Sequence, residues 1–127
     1  MSRTLAAVAA FTLVFASQAA FAQALKTADT PKGKVFVDDK GMTLYTFDKD
    51  AGGKSACNGP CVEAWPPLMA ADDAKPTADM AIVVRDDGKK MWAYKGKPLY
   101  TFKKGDTGPG QTNGDGFLNG AWHVAKP

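Results

Sequence analysis

Reactive side chains are scarce in this sequence. Its 127 residues include one histidine and two cysteines, and Glu63 is the single glutamate. No glycine-rich phosphate-binding loop occurs, and Ser55 lacks the surroundings of a nucleophilic serine. Most catalytic sites are assembled from side chains and loops of these kinds, which are rare or absent in this sequence. We therefore predict that the protein is not an enzyme.

Charge of one sign is not concentrated anywhere in the chain. There are 16 lysines and arginines against 13 aspartates and glutamates, and they are spread along the sequence. A nucleic-acid-binding protein usually carries a basic run or stripe, so we expect no nucleic-acid partner. The length and the 45% hydrophobic content are typical of one small globular domain and exclude a multidomain enzyme. We expect a monomer.

A long hydrophobic run occurs only at the N-terminus. Arg3 precedes an apolar run from Leu5 to Phe15, and the sequence Ala20-Phe21-Ala22 follows, with small residues on both sides of Phe21. This order is that of a cleavable signal peptide, which we assign to residues 1–22. The run is about half the roughly 20 residues of a spanning helix, so we expect no transmembrane segment after processing. No cysteine lies near the cleavage site. We therefore expect a periplasmic protein without a lipid anchor.

The rest of the chain has the pattern of short strands. Residues 23–34 are polar and predict a flexible segment, and residues 35–127 form the predicted domain. Short apolar runs separated by glycine and aspartate predict strands over 35–37 and 42–47, a three-stranded meander over 80–85, 91–94 and 99–102, and a last strand over 121–124. Residues 61–64, after Pro60, predict one helical turn. The class is mainly β, with at most one short helix.

An internal repeat divides the predicted domain. The segment from Lys40 to Phe47 recurs as residues 95–102, which gives two related halves over about 35–70 and 80–127. In an extended strand, Tyr45 and Phe47 point to one face and Leu44 to the other. The same alternation holds in the second copy. Each half is therefore expected to supply an aromatic pair to a shared interface.

The repeated segment carries a recognisable motif, Tyr-x-(Phe/Trp/Tyr)-x-x-Asp. The first copy runs from Tyr45 to Asp50, and the second, from Tyr100 to Asp106, has its aspartate one residue late. With the further segments 58–61, 65–68, 86–88 and 122–124, the chain resembles a secreted repeat, or predicted-lipoprotein, family marked by this motif. The resemblance covers nearly the whole predicted domain. It implies no established biochemical activity.

Cys57 and Cys61 form a natural pair in an oxidising compartment. The intervening Asn-Gly-Pro favours a turn that brings the two Cα atoms into disulfide range. A five-residue loop closes little chain, so the loop model gives a contribution of about 2 kcal/mol. We predict a local disulfide.

Two functions are compatible with these patterns, besides a purely structural or stress-related envelope protein without a small ligand, which the sequence does not separate from the first. The first is a non-catalytic envelope module without a cofactor, which binds a ligand or protein partner through motif residues near a common surface: Tyr45, Phe47, Asp50, Tyr100, Phe102 and Asp106. The alternative is a periplasmic copper, haem or thiol redox protein that uses Cys57, Cys61 and His123, since thiolates and imidazole bind soft metals. Met42, Met69, Met80 and Met91 would complete a copper site. A calcium loop after Asp48 is incomplete because Gly59 stands where a glutamate is needed.

Overall fold

The computed structural model describes residues 25–127. The predicted signal peptide lies outside these residues. The elements are, in chain order, β1 (Lys26–Thr30), β2 (Gly33–Val37), β3 (Tyr45–Phe47), α1 (Pro60–Ala64), β4 (Met80–Val84), β5 (Lys90–Tyr94), β6 (Lys97–Pro98), α2 (Phe117–Gly120) and β7 (Trp122–Val124). Within the described part of the chain, no helix is long and apolar enough to cross a membrane.

β1 and β2 form an antiparallel hairpin, with Lys26 opposite Val37 and Thr30 opposite Gly33. Thr30 closes the turn, because its Oγ1 accepts a hydrogen bond from Lys32 N at 3.1 Å and donates one to Gly33 O at 2.8 Å. The prediction of a flexible segment over residues 23–34 is therefore wrong from residue 26 onward. β1 is exposed or half-buried along its length, so it lacks the apolar pattern that reveals a strand.

The predicted three-stranded meander is present as β4, β5 and β6, but its third strand is Lys97–Pro98 and not residues 99–102. Within the predicted range, Tyr100 forms isolated bridges to Tyr45 and Pro67 instead. Met80 pairs with Tyr94, and Tyr94 pairs in turn with Lys97. Lys95 and Gly96 connect β5 to β6 with φ angles of 46° and 82°. Two consecutive positive φ angles are typical of the tight turn whose twist matches that of the flanking strands.

The two halves meet where the repeated motifs run side by side. Tyr45 N donates to Tyr100 O at 2.7 Å, and Tyr100 N donates to Tyr45 O at 3.0 Å. β3 also pairs with β7, so that Tyr45 lies opposite Val124. The segment around Tyr100 pairs with Pro67 in the same way. The halves are therefore related by an approximate twofold axis that passes between the two tyrosines.

The short helices are the second sign of this symmetry. α1 and α2 each follow a glycine with positive φ, Gly59 at 60° and Gly116 at 81°, and each is followed within two residues by a buried tryptophan. α2 is irregular, since Leu118 and Asn119 have left-handed backbone angles. The mainly β class and the two halves are confirmed. The second helix goes beyond the single one expected.

Two apolar clusters lie on opposite faces of the motif strands. The first cluster includes the aromatic residues of both motifs and the tryptophans that follow α1 and α2. Its members are Tyr45, Phe47, Cys57, Trp65, Val83, Met91, Ala93, Tyr100, Phe102 and Trp122. The second contains the residues that alternate with them: Phe36, Leu44, Ala70, Met80, Trp92, Leu99 and Ala125. Alternation along the strand therefore places Tyr45 and Leu44 in different clusters, as the period-two pattern predicts.

Candidate functional site

The two motifs exchange their hydrogen-bond partners. Tyr45 OH donates to Asp106 Oδ2 at 2.5 Å, and Tyr100 OH donates to Asp50 Oδ2 at 2.7 Å. Each tyrosine therefore bonds to the aspartate of the other half. The motif joins the two repeats to each other.

Each motif aspartate also holds the loop that follows it. Asp50 Oδ1 accepts a hydrogen bond from Ala56 N at 2.7 Å, and Asp106 Oδ1 accepts one from Asn113 N at 3.0 Å. Asp106 stands one position further from its motif tyrosine than Asp50 does. The bond from its carboxylate also spans one residue more of the following loop. Despite this shift, Asp106 has the same role in its half as Asp50 has in the other.

Burial shapes the ionisation of these groups. Tyr45 and Tyr100 are fully buried, and burial is the main reason that the pKa of each phenol lies well above its ordinary value. The hydrogen bond to an aspartate raises each pKa further. Burial also raises the pKa of Asp50, although the Ala56 N–H, the Tyr100 hydroxyl and the charge of Arg85 oppose the rise. Both phenols remain donors at neutral pH.

The predicted binding surface is not formed by the motif residues. Tyr45 and Tyr100 are 0% exposed, Asp106 is 4% exposed, and both motif phenylalanines, Phe47 and Phe102, are buried as well. Asp50 is half-buried. This burial gives no support to the prediction that the motif residues bind a ligand near a common surface. The polar groups of the motif satisfy one another in the interior, where an unpaired group would be costly.

A stack of aromatic rings crosses the symmetry axis. Trp65 and Trp122 lie face to face, with ring centroids 3.7 Å apart. Phe102 stacks on Trp65 at 4.1 Å, and Phe47 stacks on Trp122 at 4.2 Å. Gly114 borders the stack, and a Cβ there would lie 2.6 Å from Trp65 Cη2. The terminal tryptophan is therefore part of the joint between the repeats.

The predicted disulfide between Cys57 and Cys61 is present, with Cα atoms 5.3 Å apart. Cys57 is fully buried and Cys61 is half-buried. The loop that they close carries Asn58, whose Nδ2 donates to Asp86 Oδ2 at 3.1 Å. The disulfide loop is thereby tied to the turn between β4 and β5.

Arg85 is a buried cation that the sequence reading missed. It is 6% exposed and donates to Cys57 O at 2.6 Å, to Ser55 Oγ at 2.9 Å and to Asn58 Oδ1 at 3.2 Å. Ser55 Oγ is in turn 2.6 Å from Tyr100 OH. The signal for Arg85 was available, since every other basic residue after Arg3 is a lysine. A planar guanidinium with several fixed donors suits this position better than an ammonium group.

A first open cleft lies between the disulfide loop and the β4–β5 turn. We call it the proline cleft, and its volume is about 650 Å³. Its lining residues are Asn58, Gly59, Val62, Pro66, Pro67, Met69, Arg85, Asp86, Asp87 and Lys89. Among them Met69 is 45% exposed. The two cationic side chains balance the two anionic ones, and the walls between them are apolar.

A second open cleft lies beside β7 and the β5–β6 turn. We call it the lysine cleft, and its volume is about 550 Å³. Its lining residues are Thr46, Asp48, Tyr94, Lys95, Lys97, His123, Val124, Ala125, Lys126 and Pro127. His123 Nε2 lies 2.7 Å from Asp48 Oδ2.

The repeat pattern is shared with a known family. A family described as a secreted repeat of unknown function matches the chain twice, over residues 26–69 and 81–126. This chain belongs to that family. The first residue of each match lies at the start of β1 or within β4, so the secreted repeat includes the hairpin that precedes each motif. No curated protein and no solved structure matches the chain significantly.

In this secreted repeat protein, the alternative set of metal ligands is not brought together. His123 lies in the lysine cleft, while Cys57 and Cys61 are joined to each other beside the proline cleft. Within residues 25–127, no group of three or more histidine, cysteine or acidic side chains is placed to hold a metal ion. Met80 and Met91 are buried in different apolar clusters. The structure therefore lends no support to the copper site.

The aspartates of the incomplete calcium loop also have other partners. Asp48 pairs with His123, and Asp50 bonds to Tyr100 and Ala56. These carboxylates act in the turn and in the joint between the repeats.

Proposed function

We propose that this secreted repeat protein is a non-catalytic module of the periplasm that binds a small ligand in the proline cleft. The observation that carries the proposal is the make-up of the cleft. Val62, Pro66, Pro67 and Met69 provide apolar walls, and a few polar side chains stand at the rim. Small-molecule sites are concave and mostly apolar, with a few placed polar groups and volumes of roughly 300–1,000 Å³.

The charges that line the cleft indicate the kind of ligand. The buried Arg85 and the exposed Lys89 together balance Asp86 and Asp87, so an ionic ligand gains no net attraction. We infer an uncharged or zwitterionic ligand with an apolar part that fits against the prolines. The exposed side chain of Met69 adapts readily to ligands of different shape, because its thioether chain is flexible.

The rim is already ordered before any ligand arrives. Asn58 is held from both sides, since its Oδ1 accepts from Arg85 and its Nδ2 donates to Asp86. The Cys57–Cys61 disulfide fixes the same loop, which fits an oxidising compartment such as the periplasm. Ordering these groups in advance lowers the entropic cost of binding.

Methionine methyl signals provide a direct test of ligand binding. Protein purified after export and labelled at its methionine methyl groups is titrated with a library of neutral and zwitterionic fragments that each carry an apolar group. We expect some fragments to shift the Met69 signal and to leave the Met80 signal unchanged, because Met80 is buried in the second apolar cluster.

A matched pair of variants assigns the site. Val62→Asp places a charge in the apolar wall and is expected to abolish the shifts. Val84→Asp makes the same change at a side chain that is 59% exposed and should bind normally. Thermal unfolding checks that both variants are folded. The proposal fails if no fragment moves the Met69 signal, or if folded Val62→Asp binds as tightly as Val84→Asp.

A further inference from the structure

The lysine cleft has a strong excess of positive charge. Lys95, Lys97 and Lys126 all line it and are all exposed. Asp48 is the acidic side chain among the lining residues, and it is paired with His123. Three lysines therefore line one concave space, in which Asp48 is the acidic side chain and is already paired. This arrangement attracts an anion.

The backbone fixes the position of these lysines. Lys95 occupies a tight turn with φ of 46°, and its N–H donates to Asp79 O at 2.8 Å. Lys97 follows at the start of β6, and Lys126 comes two residues after β7. Three separate backbone positions therefore deliver charge to the cleft, each tied to a strand end or a turn.

An aromatic ring and a polar pair lie among the lysines. Tyr94 is half-buried, and Phe36 contacts its ring edge-on at a centroid distance of 4.6 Å. Lys95 Nζ lies over the same ring, 5.3 Å from its centroid. An aromatic ring with a polar edge provides an apolar platform beside a hydrogen-bonding group. Thr46 and the Asp48–His123 pair add exposed or half-buried donors and acceptors at the same cleft. A simple inorganic anion would use the lysines and leave these groups without contacts.

We propose that the lysine cleft binds an acidic saccharide, a sugar ring that carries a phosphate or carboxylate group. The lysines pair with the acidic group, the exposed part of Tyr94 beside Lys95 contacts the apolar face of the sugar, and Thr46, Asp48 and His123 bond to its hydroxyls. The cleft volume of about 550 Å³ lies within the roughly 300–1,000 Å³ of small-molecule sites. The proposal does not depend on a ligand in the proline cleft.

Backbone-amide NMR titrations with defined probes test the ligand class. We expect glucose 6-phosphate and galacturonate to shift the signals of Lys97, His123 and Lys126. Glucose lacks the acidic group and inorganic phosphate lacks the ring, so each should bind roughly tenfold more weakly. A trimer of galacturonate that binds more tightly than the monomer would assign the site to a glycan, and equal binding would assign it to a free sugar.

Two double variants remove the same charge at different places. Lys97→Gln with Lys126→Gln should weaken binding of glucose 6-phosphate by roughly tenfold, since two ion pairs are lost. Lys54→Gln with Lys75→Gln changes two exposed lysines outside the cleft and should bind as the unmodified protein does. The proposal is overturned if the cleft signals do not shift, if both double variants lose affinity equally, or if inorganic phosphate binds as tightly as glucose 6-phosphate.

Discussion

Removal of a motif hydroxyl should destabilise the protein by an amount that depends on which carboxylate loses its donor. Tyr45→Phe deprives Asp106, which is 4% exposed, of the donor at 2.5 Å and deprives Gly114 N of its acceptor. Hydrogen bonds to charged groups contribute about 1.5–3 kcal/mol, and buried groups left unsatisfied cost the most. We expect a loss of about 3 kcal/mol in the free energy of unfolding.

Tyr100→Phe should cost less, although the two tyrosines occupy equivalent places. Asp50 is half-buried, so water can replace the lost hydroxyl. Ser55 Oγ keeps its hydrogen bond from Arg85. We expect a loss of about 1–1.5 kcal/mol, which is typical of a hydrogen bond that water partly replaces. Urea unfolding followed by tryptophan fluorescence measures both values.

Double-mutant cycles separate the exchanged pairing from general damage to the interior. Tyr45→Phe combined with Asp106→Asn should show a coupling energy of about 1–2 kcal/mol, as contacting residues do. Tyr45→Phe combined with Asp50→Asn joins two residues of the same motif and should be additive within about 0.5 kcal/mol. Tyr94→Phe serves as the matched control, with an expected change of less than about 0.5 kcal/mol. Strong coupling within one motif, or none across motifs, would refute the exchanged pairing.

Three further predictions concern the disulfide, the aromatic stack and Asp50. Replacement of Cys57 and Cys61 together by alanine should cost about 2 kcal/mol in urea unfolding, as the five-residue loop predicts, and no loss would show that the loop is held by its other contacts. Gly114→Ala should destabilise the protein by about 1–3 kcal/mol because its Cβ meets the ring of the stack. Gly108→Ala, where a Cβ meets nothing closer than 3.8 Å, is the control, and equal effects would contradict this reason. Since burial raises the pKa of Asp50 above 3.8, its contribution to stability is fully present below that pH and is lost as the pH rises through the folded-state value. Unfolding measured across this range should therefore show the unmodified protein losing stability relative to Asp50→Asn, and a constant difference would argue against the raised pKa.

Local patterns predicted the parts of the fold that depend on neighbours in sequence. The turn between Cys57 and Cys61 predicted their disulfide, and strand alternation placed Tyr45 and Leu44 in different apolar clusters. β1 was not predicted because its side chains are exposed or half-buried, although its backbone pairs with β2. An apolar pattern reports burial, so it does not detect a strand of this kind.

The roles of the motif residues depend on distant partners. Tyr45 and Asp106 are 61 positions apart, and Tyr100 and Asp50 are 50 apart. Alternation predicted which face each tyrosine occupies, but it does not distinguish an internal joint from an exposed surface. The two clefts were missed for the same reason, since each is assembled from loops and strand ends that are separated in the chain.

The exchanged tyrosine–aspartate bonds also determine how far this chain can be divided. One repeat by itself contains a tyrosine and an aspartate that are not placed to bond to each other, and half of the ring stack is missing from it. A truncated chain that ends after residue 69 would expose both deficits. Two copies of the first repeat, related by a twofold axis, would provide the missing tyrosine, aspartate and tryptophan, but no counterpart of Arg85. The sequence thus repeats one segment, while the hydrogen bonds and the ring stack of the joint require both copies.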